Sequence, residues 1–216
     1  MFGRHMIAII DYKMGNIKSL ENALSFLGCE SCVTNQAEKI LGADKIILPG
    51  VGAFDVAMKN LQKNNLVETL NTAVFEKHIP ILGICLGMQL LASRGEENGL
   101  TDGLGWISGT VKRFSFNNKN IRIPHIGFNS VDFEDRSPNL FEGLTEGADF
   151  YFVHSYHMMC ENNADVASWT EYGEKFVSSV QKGNIFGTQF HPEKSQSNGL
   201  KLLRNFIALS GERLRC

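Results

Sequence analysis

Cys85 stands between two glycines in Gly83-Ile84-Cys85-Leu86-Gly87. The apolar run Ile79 to Ile84 precedes it and reads as a buried strand, while Met88, Leu91 and Ala92 follow at helical spacing. This is the pattern of a nucleophile elbow with cysteine in place of serine. An abrupt strand-to-helix turn strains its central residue, and side chains two positions away on either side would collide, so glycine at both places relieves the crowding. The turn sets the sulfur at a helix N-terminus, where unpaired N–H groups and the helix dipole favour thiolate over thiol. Such a residue offers nucleophilic catalysis through a covalent intermediate.

A nucleophilic cysteine needs a base and a group that orients the base. His191 has the neighbours for it in Gln189-Phe190-His191-Pro192-Glu193-Lys194-Ser195. Pro192 holds His191 in an extended conformation. In an extended segment residues two apart lie on one side, so Glu193 can reach the imidazole that His191 presents to Cys85. His154, in Tyr151-Phe152-Val153-His154-Ser155-Tyr156-His157, is the competitor but has no adjacent acid. His125, after Pro124, reads as a structural mid-strand residue, and His78 and His157 read as solvated. No His-x-x-x-His or acidic cluster stands at ligand spacing, so no metal is expected, and no cofactor.

The elements that must position these residues alternate. Ile7 to Ile10 is a strand; Asp11 to Asn16 is a loop with Asn16 as N-cap; Ile17, Leu20, Leu24 and Leu27 share a helical face that Gly28 closes. Cys29 to Val33 and Lys45 to Leu48 are further strands, the latter ending in Pro49-Gly50-Val51-Gly52-Ala53-Phe54, a loop able to present N–H groups to an anion. Ala57, Leu61, Leu66, Leu70 and Val74 keep helical spacing up to the strand before Cys85. This alternation predicts a parallel sheet covered on both faces. After Ser93 come a loop, Gly95 to Gly105, then shorter β-like segments at 109–114, 121–129, 150–156, 166–170, 176–181 and 185–190. They predict a mixed extension, closed by a helix with Leu200, Leu203, Phe206 and Ile207 inside. Cys29-x-x-Cys32 lacks a second pair and reads as structural.

With 216 residues, 43% hydrophobic and 20% charged, the chain is sized for one α/β domain, taken as 6–210, after a vector-derived or disordered leader at 1–5. A net charge of −2 gives no reason to expect nucleic acid or an anionic membrane. Five cysteines without framework spacing fit a reducing cytoplasm.

Gly-Ile-Cys-Leu-Gly-Met-Gln with a distant Phe-His-Pro-Glu resembles the class I, triad-type glutamine amidotransferases. Within them, Pro49–Phe54, Pro124-His125-Ile126-Gly127-Phe128-Asn129, Tyr151–Tyr156 and His191–Ser195 resemble the glutaminase subunits of imidazole glycerol phosphate synthases. The resemblance implies a flavodoxin-like α/β fold and a triad of Cys85, His191 and Glu193. It implies an oxyanion hole from Gly50, Val51 and Gly52 with the Leu86 N–H, and a glutamine pocket with Gln89, Glu97 and the backbone near Ser155. It implies a heterodimer in which ammonia from L-glutamine passes to a (β/α)₈-barrel cyclase subunit, docked on the face bearing Asn16, Phe128, Asn129 and Lys194. Lys13, Met14 and Phe128 depart from the residues usual there, which leaves open a paralogue serving another acceptor, such as a surface-sugar pathway. A cysteine hydrolase of another substrate and a non-catalytic module of the same fold are the remaining alternatives.

Overall fold

Short runs of Ile, Val and Leu, too short for helices, build the sheet that carries Cys85. In the computed structural model, residues 6–118, 120–133 and 140–209 are described; the expected leader, 1–5, lies outside them. The chain runs through β1 (Met6–Ile10), α1 (Ile17–Phe26), β2 (Glu30–Thr34), α2 (Ala37–Leu41), β3 (Lys45–Gly50), α3 (Phe54–Lys63), α4 (Leu66–Asn71), β4 (Ile81–Cys85) and α5 (Leu86–Gln89). There follow β5 (Ala92–Gly95), β6 (Thr101–Asp102), β7 (Ile107–Arg113), β8 (His125–Ser130), β9 (Asp132–Phe133), β10 (Asp149–His154) and β11 (Tyr156–Cys160). Then come β12 (Val166–Tyr172), β13 (Glu174–Lys182), β14 (Ile185–Thr188) and α6 (Gln196–Ala208).

The main sheet has eight strands in the order β2-β1-β3-β4-β14-β13-β12-β9. Neighbours from β2 to β14 are parallel, and those from β14 to β9 antiparallel. This is the mostly parallel sheet with a mixed extension that the sequence predicts. Alternate strand residues feed two cores. Ile7, Ile9, Ile47, Leu82 and Ile84 pack with residues of α1 and α6 and with Phe150, Phe152, Phe186 and Phe190 on one face. Ala8, Ile10, Ile46, Leu48 and Ile81 pack with α3 and α4 on the other. A ribbon, β10-β8, and a small sheet, β11-β7-β5-β6, stand apart from the main sheet. No helix among the described residues is long and apolar enough to cross a membrane.

The register sets the site. Cys85 ends β4 beside Gly50 at the end of β3, and Thr188, at the end of β14, pairs with Ile84. The segments 49–54 and 189–193 therefore both leave the sheet next to the sulfur, at the carboxyl edge where open α/β sheets bind ligands.

Four expectations are corrected. The helix after Cys85 is one turn, and Ala92–Gly95 is a strand, because these residues pair with β7 and β6. The helical spacing from Ala57 to Val74 covers two helices broken at Asn64-Asn65, where Asn65 takes φ 55, and a π turn, Thr72–Glu76. Inside the expected loop 95–105, Thr101–Asp102 pairs with β5. The helix α2 adds to the expected elements; only Ile40 of its five residues is buried, too little apolar periodicity to mark it.

At the elbow Cys85 holds φ 55, ψ −109, a strained combination for a residue with a side chain. A Cβ on Gly83 would meet the Gly87 carbonyl oxygen at 2.6 Å, and one on Gly87 would run into the Leu48 carbonyl oxygen. Gly87→Ala is therefore expected to cost roughly 3 kcal/mol or more, read from the urea midpoint. Gly28→Ala, at φ +72 but in open space, is expected to cost about 1 kcal/mol. Equal costs would refute the close approach at the elbow.

Candidate active site

Cys85, buried at 6% exposure, forms part of the wall of a cavity of about 350 Å³. Val51, Gly52, Leu86, Gln89, Glu97 and Ser155 of the expected pocket line the same cavity. His191 and Glu193 lie behind the sulfur, in a small recess shared with Asn16, Pro49, Gly50 and Val51. The sulfur is thus on the wall of the larger cavity, and the imidazole on the wall of the smaller recess.

Glu193 meets the imidazole by a route different from the expected extended segment. His191 itself is extended, as its proline dictates, but Pro192–Lys194 is a 3₁₀ turn that curls the carboxylate back. Glu193 Oε1 stands 2.8 Å from His191 Nδ1, with the two side chains 4% and 2% exposed. The other nitrogen, Nε2, is buried and meets no oxygen or nitrogen partner among the described residues, which leaves it to the Cys85 sulfur. Burial opposes a charge on this ring, but Cys85 first and Glu193 next outweigh it, and the imidazole is pushed up to about 10. An imidazole held between a cysteine sulfur and a carboxylate can carry a proton for chemistry at that sulfur.

Gly50 packs where only glycine fits: a Cβ there would meet the Tyr12 hydroxyl at 2.6 Å and the Gly87 nitrogen at 2.8 Å. The Tyr12 hydroxyl donates to the Pro49 carbonyl at 2.7 Å, and Gly52 takes φ +112. Glu97 Oε2 accepts the Phe54 N–H at 2.9 Å, tethering the far end of the same loop. Both protons of the Gln89 amide are engaged, by the Tyr156 carbonyl at 2.9 Å and Gln189 Oε1 at 3.0 Å. What Gln89 and Glu97 can still offer a ligand is acceptor oxygen, the chemistry that suits an α-ammonium group.

Sequence reasoning passed over Tyr12 and Gln189. Fully buried Gln189 donates to Cys85 Sγ at 3.7 Å. Its signal was its place two residues before His191, on the same side of an extended segment. His157, expected to be solvated, is buried at 7% and stacks on Phe114, while His78 is exposed as expected. His154 lines the cavity, but its ring bonds the Tyr156 carbonyl and His125 and so is turned away from a triad role.

On the expected docking face, Phe128 is 50% exposed and lies edge-on to Tyr151, whose ring also carries Lys194 Nζ at 5.7 Å from its centroid. Asn16 is exposed and caps α1 by position, though its side chain bonds Ser19 rather than the backbone. Asn129 instead turns inward, to His125 and the Glu171 carbonyl.

A parallel sheet with a cysteine elbow and a buried His–Glu pair at its carboxyl edge has the fold of the glutamine amidotransferases. The chain belongs to the glutamine amidotransferase class-I family, whose model matches residues 8–209. More particularly, it is 48% identical over 94% of its length to the whole of imidazole glycerol phosphate synthase subunit HisH 1 of Campylobacter jejuni (strain RM1221). It is 50% identical to imidazole glycerol phosphate synthase subunit HisH of Moorella thermoacetica, over 93% of each chain. Among solved structures, a glutamine amidotransferase from Thermotoga maritima shares the fold with a TM-score of 0.66 at 17% identity, over 99% of each chain.

Three other histidines set the acid limit of the fold. Burial pushes His125 and His157 down to about 4 and His154 to about 3. The unfolded chain takes up these protons near pH 6.5, so the stability these rings lend is intact above that pH and lost as pH falls toward 4. His191 has the opposite sign, and its contribution is complete below pH 6.5. Unfolding in urea at pH 5 is expected to show a stability about 2 kcal/mol or more below that at pH 7.5, and equal values would show that the rings ionise without strain.

Proposed function

We propose that the chain is the glutaminase subunit of an imidazole glycerol phosphate synthase, a cytoplasmic heterodimer with a (β/α)₈-barrel cyclase. The observation that carries this reading is the 2.8 Å His191–Glu193 pair buried against Cys85 at the edge of an acceptor-lined cavity. Glutamine lies in the cavity with its α-ammonium toward Gln89 and Glu97. Cys85 attacks the side-chain amide carbon, and the carbonyl oxygen takes the developing charge toward the N–H groups of Gly50, Val51, Gly52 and Leu86. His191 gives its proton to the amide nitrogen, the C–N bond breaks, and ammonia leaves a γ-glutamyl thioester. His191 then takes a proton from water as the hydroxide adds; the thioester collapses to glutamate and free Cys85. Glu193 holds the ring throughout, and the charge it shares with His191 is kept from solvent.

Ammonia released to solvent is lost, so the acceptor must dock over the cavity. Ile126 and Phe128 project from β8 at 59% and 50% exposure, and Val51 at the cavity rim is 41% exposed, an apolar surface suited to a partner. The cyclase receives the ammonia there and forms imidazole glycerol phosphate and aminoimidazole carboxamide ribotide.

A diazo-ketone analogue of glutamine is expected to label Cys85 alone, and Cys85→Ala to lower glutamine hydrolysis by roughly 10³-fold or more with the fold retained by circular dichroism. Labelling of Cys29, Cys32 or Cys160 instead would sink the assignment. Hydrolysis is further expected to be weak for the isolated chain and strong with the histidine-pathway cyclase and its ribonucleotide. Lys194→Ala should weaken that stimulation about tenfold, the scale of one interfacial charge contact, while Cys85 still reacts with the analogue. Stimulation by a different acceptor enzyme only would assign the chain to another pathway.

A further inference from the structure

From the cavity wall inward, two buried histidines of no assigned role, His154 and His125, form a chain whose direction can be read from both ends. At one end the amide of Asn129 is oriented twice by the main chain. Its Oδ1 accepts the Ser130 N–H at 2.9 Å, and its Nδ2 donates to the Glu171 carbonyl at 3.0 Å. Nδ2 therefore also faces Nε2 of His125, at 3.4 Å, and that nitrogen must accept. His125 then carries its proton on Nδ1, which stands 3.2 Å from Nε2 of His154. At the other end, the Tyr156 carbonyl lies 2.8 Å from Nδ1 of His154 and can only accept. His154 then carries its proton on Nδ1 and accepts on Nε2. The two anchors demand the same polarity, with one proton between the rings.

The chain continues to the sulfur. The Tyr156 carbonyl also accepts from Gln89, Gln89 donates to Gln189, and Gln189 donates to Cys85 Sγ. His125 is fixed in its plane by Tyr172 and Phe152, stacked at 3.9 and 4.8 Å between centroids. Its exposure is 2% and that of His154 6%, so both rings are largely withdrawn from bulk solvent.

We propose that His125 and His154 are positioning residues for glutamine: a directional pair that locks the Tyr156 carbonyl, and through it the amides of Gln89 and Gln189, to the setting of Asn129 on β8. The proposal rests on the glutaminase reading above. A lost or reversed donor on Tyr156 frees its carbonyl to shift, and the acceptor oxygen of Gln89 shifts with it. Asn129 shares a strand with the exposed Ile126 and Phe128, so contacts on that face and the placement of glutamine meet on one strand.

The test has a readout independent of activity. In the ¹⁵N-histidine-labelled full chain at pH 7.5, long-range ¹H–¹⁵N spectra are expected to show both rings neutral and protonated on Nδ1, the tautomer that free neutral imidazole side chains disfavour. An Nε2–H form or an imidazolium at either ring would overturn the proposal. Asn129→Asp replaces the terminal donor with an acceptor, so the His125 proton should move to Nε2 or a second proton should bind. In that variant the half-saturating concentration of the diazo-ketone analogue for alkylating Cys85 should rise about tenfold, as for one misplaced buried hydrogen bond. The rate of alkylation by iodoacetamide, which reports the sulfur and its Gln189 donor without the glutamine contacts, should change by less than the analogue's half-saturation. His154→Asn, which keeps a donor near the Nδ1 position, should restore most of the analogue binding lost in His154→Phe. Unchanged tautomers or unchanged analogue binding in Asn129→Asp would refute the wiring even if a phenylalanine variant failed to fold. Failure of the analogue to alkylate Cys85 in the wild type would instead refute the glutaminase reading, leaving the tautomers to be judged by the spectra.

Discussion

The site depends on two stretches of backbone pressed together without side chains between them. Gly87 sits against the Leu48 carbonyl, Gly83 against Gly87 itself, and Gly50 against the nitrogen of Gly87. Sheet pairing sets strands β3 and β4 side by side, but it is the missing Cβ atoms that let the turn after β4 fold back on the end of β3. Without that approach the loop 50–52 would stand away from Cys85. The strain at Cys85 is held there by the same contacts, since packing on both sides leaves the turn no relaxed alternative.

The second constraint is the burial of charge. His191 and Glu193 are withdrawn almost entirely from water, where an isolated ion is costly and a matched pair is tolerated only in close geometry. The 3₁₀ turn supplies that geometry over three residues, and Ser195 secures it by bonding the His191 carbonyl and the Tyr151 N–H. His191 is thereby tied to the ribbon β10-β8 as well as to the main sheet. Among the described residues the buried Glu193 carboxylate bonds the imidazole through Oε1, with no partner for Oε2.

Much of this was legible because it is written locally. The elbow declares itself within five residues, and the His-Pro-Glu run within three. Parallel strands buried on both faces appear as apolar runs such as Lys45–Leu48 and Ile81–Ile84. Short-range patterns fail where distant pairing decides. Ala92-Ser93-Arg94-Gly95 has no strand alternation, and it is extended because β7 and β6 flank it. His157 looks solvated between Tyr156 and Met158, yet Phe114 covers it from 43 positions away. The helix from Ala57 to Val74 keeps its apolar spacing across a break, because both helices bury their apolar residues against the same face of the sheet. The contact of His125 with His154 spans 29 positions and two strands, and no periodicity announces it.

The exposed ribbon carries a consequence for the cell's housekeeping of this chain. Ile126 and Phe128 on β8 lie opposite Val153 and Tyr151 on β10, so several apolar side chains share one surface. A surface of this kind is neutral when covered and adhesive when bare. Its hazard grows with the concentration of uncovered chain, because like faces then meet each other more often than the molecule meant to cover them. On the proposed reading, in which the acceptor covers β8, synthesis of the chain in step with that acceptor would keep the face covered, and a surplus would be a substrate for chaperones and proteases.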